Sequence, residues 1–189
     1  AAGEIPVFVD PQAACRAFIQ PQVLVDAILA KRNLGTSIQD APAVIALGPG
    51  FTAGVDCHAV VETMRGHNLG RVYYQGSALP NTGVPGEIGG FTKERVMHAP
   101  AGGTFRAIHK IGDRVEAGEA VAQVDGVPVI THISGILRGI LTDGLQIPQG
   151  MKCADVDPRC QPNNCFTVSD KARSLGGAVL EAMGALGQL

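Results

Sequence analysis

Residues 103–125 read GTFRAIHKIGDRVEAGEAVAQVD and residues 135–157 read GILRGILTDGLQIPQGMKCADVD; the second stretch lies on the first without a gap, 32 residues on. Gly103 falls on Gly135, Phe105 on Leu137, Arg106 on Arg138 and Ile108 on Ile140. Gly112 falls on Gly144, Val115 on Ile147, Gly118 on Gly150, Val124 on Val156 and Asp125 on Asp157. Apolar residues at alternating or near-alternating spacing between glycines predict short strands joined by tight turns. A copy that exposes half an apolar face must bury it, and the nearest cover is the other copy.

The phrase IGDRVEAGEAVAQV (111–124) resembles the barrel-sandwich hybrid of biotinyl and lipoyl carrier domains, in which two similar sheets face one another. Such carriers hang their cofactor on a lysine in the hairpin between the halves. Here that stretch is DGVPVITHISG (125–135), and no lysine stands between Lys110 and Lys152. The resemblance therefore implies the fold without its tether, and neither lipoyl nor biotin is expected.

Composition sets the class. The 189 residues are 46% hydrophobic and 17% charged with a net charge of −2, as in a globular chain large enough for real cores. No Lys/Arg cluster points to nucleic acid or an anionic membrane. Pro and Gly interrupt every apolar run before it reaches membrane-spanning length. The 25 Gly and 12 Pro predict many turns and a β-rich protein. The opening AAGEIPVFVDP has no signal-peptide pattern and reads as a fragment or a processed product. Five cysteines without a secretory signal favour reduced thiols and a cytoplasmic location. Cys153, Cys160 and Cys165 are spaced poorly for structural zinc.

The N-terminal third alternates. An apolar strand is expected over 5–9, and a helix over 11–19 with Asp10 as its cap and Pro11 at its first position. Residues 23–29 and 43–47 read as buried strands. Uniformly apolar strands suit part of a parallel α/β sheet, here one half of a Rossmann-like domain.

After Leu47 comes GPGFTAG (48–54). Bare backbone N–H groups of Gly48 and Gly50, at the carboxyl end of a strand, can approach a phosphate; a sharp crossover would need the same glycines. DCHAVVETMRGHNLGRVYY (56–74) is the densest run of reactive side chains and reads as a hairpin, 58–63 against 71–74. Cys57 beside His58 suggests an activated thiol, with His67 as a second imidazole. Neighbours on a strand face opposite ways, so Cys57 as a small buried hydrophobe stands equally open. A metal site of Cys57, His58 and His67 ranks last. GSALPNTGVPGEIGG (76–90) is a long loop that offers Asn81 and Thr82 to a ligand.

A last helix is expected over 170–186, capped by Ser169 or Asp170, with Ala172, Leu175, Val179, Leu180 and Met183 on its apolar side. Lys171 and Arg173 sit in its first turn against the dipole preference; an anion there would explain them, but solvent exposure is the simpler reading. The expected organisation is a partial Rossmann-like α/β segment over 1–55, a hairpin and loop over 56–98, a barrel-sandwich hybrid over 99–160 and a helix over 161–189. The class is α+β and β-rich.

Long colinear strings carry a family resemblance. LGPGFTAGVDCHAVVETMRGHNLGRV (47–72), GSALPNTGVPGEIGG, ERV (94–96), IGDRVEAGEAVAQVDG, DVDPR (155–159) and SDKARSLGG (169–177) closely resemble the YqeB-type proteins. These are accessory proteins of the selenium-dependent molybdenum hydroxylase system. The resemblance implies a maturation factor for a xanthine-dehydrogenase-like hydroxylase, whose partners are that hydroxylase or its cofactor-insertion machinery. It leaves open whether the chain catalyses anything and whether it self-associates. Family members also typically begin with a nucleotide-binding strand and glycine loop, which this chain lacks. Two functions follow. In one, Cys57, with Cys165, carries sulfur or selenium to a molybdenum cofactor, His58 or His67 tunes protonation, and Lys31, Arg32, Asn33 and Arg65 hold the pterin phosphate. In the other, the chain is a non-catalytic scaffold for a small anionic ligand or for the hydroxylase.

Overall fold

Ala43–Leu47 and Ala59–Val61 contain only apolar residues, and both are buried from end to end. A strand with no polar face must be covered on both sides, which places these two at the centre of a sheet. The protein, seen in a computed structural model, is described over residues 3–189. Ala1 and Ala2, which open the stretch read as a fragment or processed product, lie outside the described residues. The chain forms two compact units, Ala1–Asn81 with Asp170–Leu189, and Thr82–Ser169.

The first unit holds a four-stranded sheet. Val23–Asp26 (β1), Ala43–Leu47 (β2) and Ala59–Val61 (β3) run parallel in that order, and Val72–Tyr73 (β4) returns antiparallel beside β3. One face of the central strands packs Val44, Ala46 and Val60 with Phe51, Ala53, Cys57 and Ala78. The other packs Ile45, Leu47, Ala59 and Val61 against Leu175, Ala178 and Ala182 of the C-terminal helix Asp170–Ala185.

That helix has the expected extent, but its buried line runs through 175, 178 and 182, and Leu180 is 57% exposed. Alanines on the inner line bring the helix close to the strands, and Leu180 falls on the opposite side.

Three N-terminal expectations need correction. Residues 5–9 carry no strand, and Val7 and Val9 are exposed, because no neighbouring strand accepts their hydrogen bonds. The first helix (α1) is only Arg16–Ile19. Ala13 turns left-handed at φ 50°, and the Asp10 carboxylate accepts from Cys15 N at 2.7 Å, a turn closure where a cap was expected. β1 stops at Asp26, whose carboxylate accepts from Ile28 N at 3.1 Å and so closes a turn. The C-terminal helix is α2.

The second unit is built from the repeat. Val96–His98 (β5), Gly103–Ala107 (β6), Arg114–Val115 (β7), Ala120–Val124 (β8), Val127–Ile130 (β9), Gly135–Ile140 (β10), Gln146–Ile147 (β11) and Lys152–Asp157 (β12) form two four-stranded sheets. Their orders are β5-β12-β10-β7 and β9-β8-β6-β11. Shifting by 32 residues carries one sheet onto the other.

The pairing of Gly135 with Val115 becomes that of Gly103 with Ile147, and the pairing of Ala154 with Met97 becomes that of Ala122 with Val129. Each half thus lends its short strand, β7 or β11, to the other half's sheet. The repeat also reaches further back than residue 103, because β5 is the counterpart of β9.

Equivalent side chains are buried together in one core: Phe105 with Leu137, Val115 with Ile147, Val121 with Cys153, and Val124 with Val156. The repeated glycines close equivalent turns. Gly112 N donates to Leu137 O and Gly144 N to Phe105 O, both at 2.8 Å, with both glycines at positive φ. Between β8 and β9, Asp125 and Gly126 make a two-residue turn with φ 45° and 84°.

Candidate functional site

Of the two readings that the sequence leaves open for Cys57, activated thiol or buried hydrophobe, the fold places it in the core. Its side chain is 0% exposed among Val44, Ala46, Phe51 and Val60. Burial first, then the nearby Asp56 charge, pushes the thiol up to about 11. Such a thiol is protonated near neutral pH and hidden from a substrate. His58 does not activate it: its Nδ1 accepts the Val44 backbone N–H at 2.9 Å, which fixes the ring against β2.

His67 is exposed in the turn between β3 and β4. Cys57, His58 and His67 do not assemble into a ligand set among the described residues. Cys165 belongs to the other unit, where burial raises its thiol and its sulfur lies 3.8 Å from Leu137 O.

The residues that do converge lie past the carboxyl ends of β2 and β3. Gly48 N donates to Val61 O at 2.8 Å, which extends the parallel β2–β3 ladder by one bond before the chain turns away. Gly48 and Gly50 have φ of 90° and 105°, and each also lacks room for a side chain. A Cβ on Gly48 would stand 2.8 Å from Thr63 Oγ1, and one on Gly50 would stand 2.4 Å from Arg32 Cα. The backbone of the 31–32 loop is therefore seated directly on the glycine turn.

On the β3 side, Glu62 is fully buried, with Oε1 accepting from Met64 N at 2.7 Å and Oε2 from Leu79 N at 2.8 Å. This carboxylate ties the chain leaving β3 to the 76–81 loop. Three residues after Glu62, Arg65 grips Asp170 at the start of α2 through Nη1–Oδ2 at 2.6 Å and Nη2–Oδ1 at 3.1 Å.

Next to Asp170, Lys171 is half-buried. Desolvation, then the positive charges of Lys31 and Arg65, hold its ammonium below the usual lysine range; Glu62 and Asp170 act the other way. Charges from three separate segments, Lys31, Arg65 and the acid pair Glu62 and Asp170, thus bear on Lys171.

The other expected ligand residues divide. Arg32 reaches the glycine turn through its backbone. Asn33 is used up by its own turn: its amide donates to Thr36 O, and its oxygen accepts from Gly35 N and Thr36 N, all at 2.8 Å. Asn81 is exposed at the end of the first unit. Thr82 lies in the second unit, its hydroxyl engaged with the backbone of Val84. Lys171 was passed over as solvent-exposed. Its place in a helix's first turn, against the dipole, was the one sequence signal for it.

No family model matches the chain. It is 52% identical over 181 residues to the uncharacterized protein YqeB of Escherichia coli. The chain is of the YqeB type. That alignment takes in 96% of this YqeB-type chain but 34% of the relative, so the chain spans about a third of the relative's length. Among solved structures, an aspartoacylase family protein from Mesorhizobium loti is similar over 34% of this chain and 23% of its own, at 15% identity and a TM-score of 0.31. A likeness that slight bears on neither fold nor function.

Proposed function

We propose that this YqeB-type chain is the anion-binding, non-catalytic part of an accessory factor for a selenium-dependent, xanthine-dehydrogenase-like molybdenum hydroxylase. One observation carries the anion reading: Lys171, half-buried at the start of α2 next to the Arg65–Asp170 pair, feels the positive charges of Lys31 and Arg65, and the Arg32 backbone, next in sequence to Lys31, lies against Gly50 of the glycine turn. In that arrangement the two lysines supply point charges suited to phosphate, while Arg65, engaged by Asp170, adds positive potential. A phosphate-bearing ligand such as a pterin cofactor in transit fits this chemistry.

The accessory role for the hydroxylase is supported by the long motifs shared with the YqeB type. The parallel order of β1, β2 and β3, with α2 on one face, supports a partial Rossmann-like reading of the first unit. The exchange of β7 and β11 supports a barrel-sandwich hybrid for the second, which in this reading docks the hydroxylase and carries no tethered cofactor. The alternative in which Cys57 carries sulfur or selenium asks for an accessible thiolate, and the burial of Cys57 weighs against it.

Inorganic phosphate is the simplest probe. Binding followed by isothermal calorimetry at low salt is expected to weaken about tenfold in Lys171→Met, the loss of one charge-assisted contact of roughly 1.5 kcal/mol. Equal affinity in the wild type and the variant would refute the assignment.

A further inference from the structure

Three stretches far apart in sequence, GVPGEIGG (83–90), ERV (94–96) and DVDPR (155–159), meet within the second unit at one side chain, Arg95. Arg95 stands just before β5 and is 6% exposed. Its Nη1 donates to Asp155 Oδ1 at 2.8 Å. Its Nη2 donates to the Gly86 carbonyl of the 83–90 loop at 3.2 Å. Its Nε is buried and finds no acceptor among the described residues. Nε–H and the outer N–H of Nη2 point the same way, a two-pronged edge that matches the two oxygens of a carboxylate. Here that edge meets one long bond to a neutral carbonyl. A buried cationic donor left without an acceptor is costly, and native chains rarely leave one so.

The loop over this edge is built to move. Gly83, Gly89 and Gly90 have φ of 69°, 60° and 84°, conformations that glycine adopts without strain. Ile88 and Phe91 close a tight turn through reciprocal backbone bonds at 3.0 and 3.1 Å, and Gly89 lies against Pro158. The middle of the loop is tied down by the bond from Gly86 to Arg95. Asp155 also accepts from Lys152 Nζ at 3.2 Å, so the groups joined through it carry two positive charges and one negative. A single negative charge balances that set, whereas a dianion would bury an uncompensated one.

We propose that the Nε–Nη2 edge of Arg95 is a binding site for the carboxylate of a small organic monoacid, with the 83–90 loop as its cover. The carboxylate takes both N–H donors, the Gly86 carbonyl gives up Nη2, and the loop shifts outward about its glycines. Pro85 and Ile88, half-buried in the loop, then lie over the ligand's apolar part. The site belongs to the second unit alone and stands apart from the anion reading of the first.

The test follows the Arg95 Nε–H resonance and the Gly86 amide of the isotopically labelled chain through a titration with sodium acetate, with sodium chloride at matched ionic strength as control. Acetate is expected to move both signals saturably, and chloride to leave them in place. Arg95→Lys, which keeps the charge without the fork, is expected to bind acetate about tenfold more weakly. Should that variant fail to fold, the wild-type titration decides alone. No shift with acetate where a weak carboxylate site would fill, or an equal shift with chloride, would overturn the site. So would an Nε–H signal that loses its hydrogen-bonded position in Glu87→Gln before any acetate is added. The exposed carboxylate of the loop's own Glu87 would then already be the partner of Arg95 in solution.

Discussion

Glu62 shows how much one residue can organise. It is a fully buried carboxylate with both oxygens taken by backbone N–H groups, from Met64 and Leu79. Those bonds fix the chain on either side of the site: Arg65 follows Met64, and Leu79 lies in the loop that ends the first unit. A buried acceptor so placed is costly to disturb, because a replacement leaves donors unmet or brings in new ones. Glu62→Gln keeps one acceptor oxygen but turns an NH2 toward a backbone N–H. The variant is expected to lose about 1–3 kcal/mol in urea unfolding and to bind phosphate more weakly. An unchanged midpoint and unchanged affinity would show that the carboxylate organises nothing. Cys57 teaches the opposite lesson at the same scale. Its neighbours in sequence allowed either a nucleophile or a core residue. The flanking strands are apolar on both faces, so no alternation marked which side was solvent.

At the scale of elements, the repeat was legible because glycines and apolar residues recur in phase at positions where a turn or a core contact demands them. Gly112 and Gly144 close the same turn, and Val124 and Val156 fill the same place. The counterpart strands β5 and β9 were not legible, since Val96, Met97 and His98 share no residue in register with Pro128, Val129 and Ile130. Strand pairing there depends on backbone hydrogen bonds and a buried inner face, which many side chains satisfy. The apolar run at 5–9 failed for the converse reason: its pattern suits a strand, but no partner pairs with it. Internal symmetry makes an energetic claim. Val124 and Val156 are both 0% exposed in the shared core. Val124→Ala and Val156→Ala are each expected to cost about 2 kcal/mol, from two lost methyl groups and the cavity left behind. Denaturant unfolding of the two variants should agree within roughly 0.5 kcal/mol, a margin comparable to ordinary additivity error. A difference several times larger would mean that the halves are alike in backbone only.

For the molecule as a whole, the candidate site is assembled from pieces that sequence order keeps far apart: the loop at 31–32, the glycine turn at 48–50, Arg65 after β3, and Asp170 with Lys171 at the start of α2. The glycine turn and Arg65 could be picked out from local pattern. Lys171 gave only one local signal, its place in a first turn against the dipole, because its partial burial and the charges around it exist only once α2 lies on the sheet. The most direct test of the account is therefore one that reports position. Backbone amide shifts of the isotopically labelled chain would be followed through a titration with inorganic phosphate. The account predicts saturable shifts at Gly48, Gly50, Arg65 and Lys171, with residues of the second unit such as Val124 and Val156 unmoved. Saturable shifts centred elsewhere, or none at concentrations where a phosphate site would fill, would contradict it.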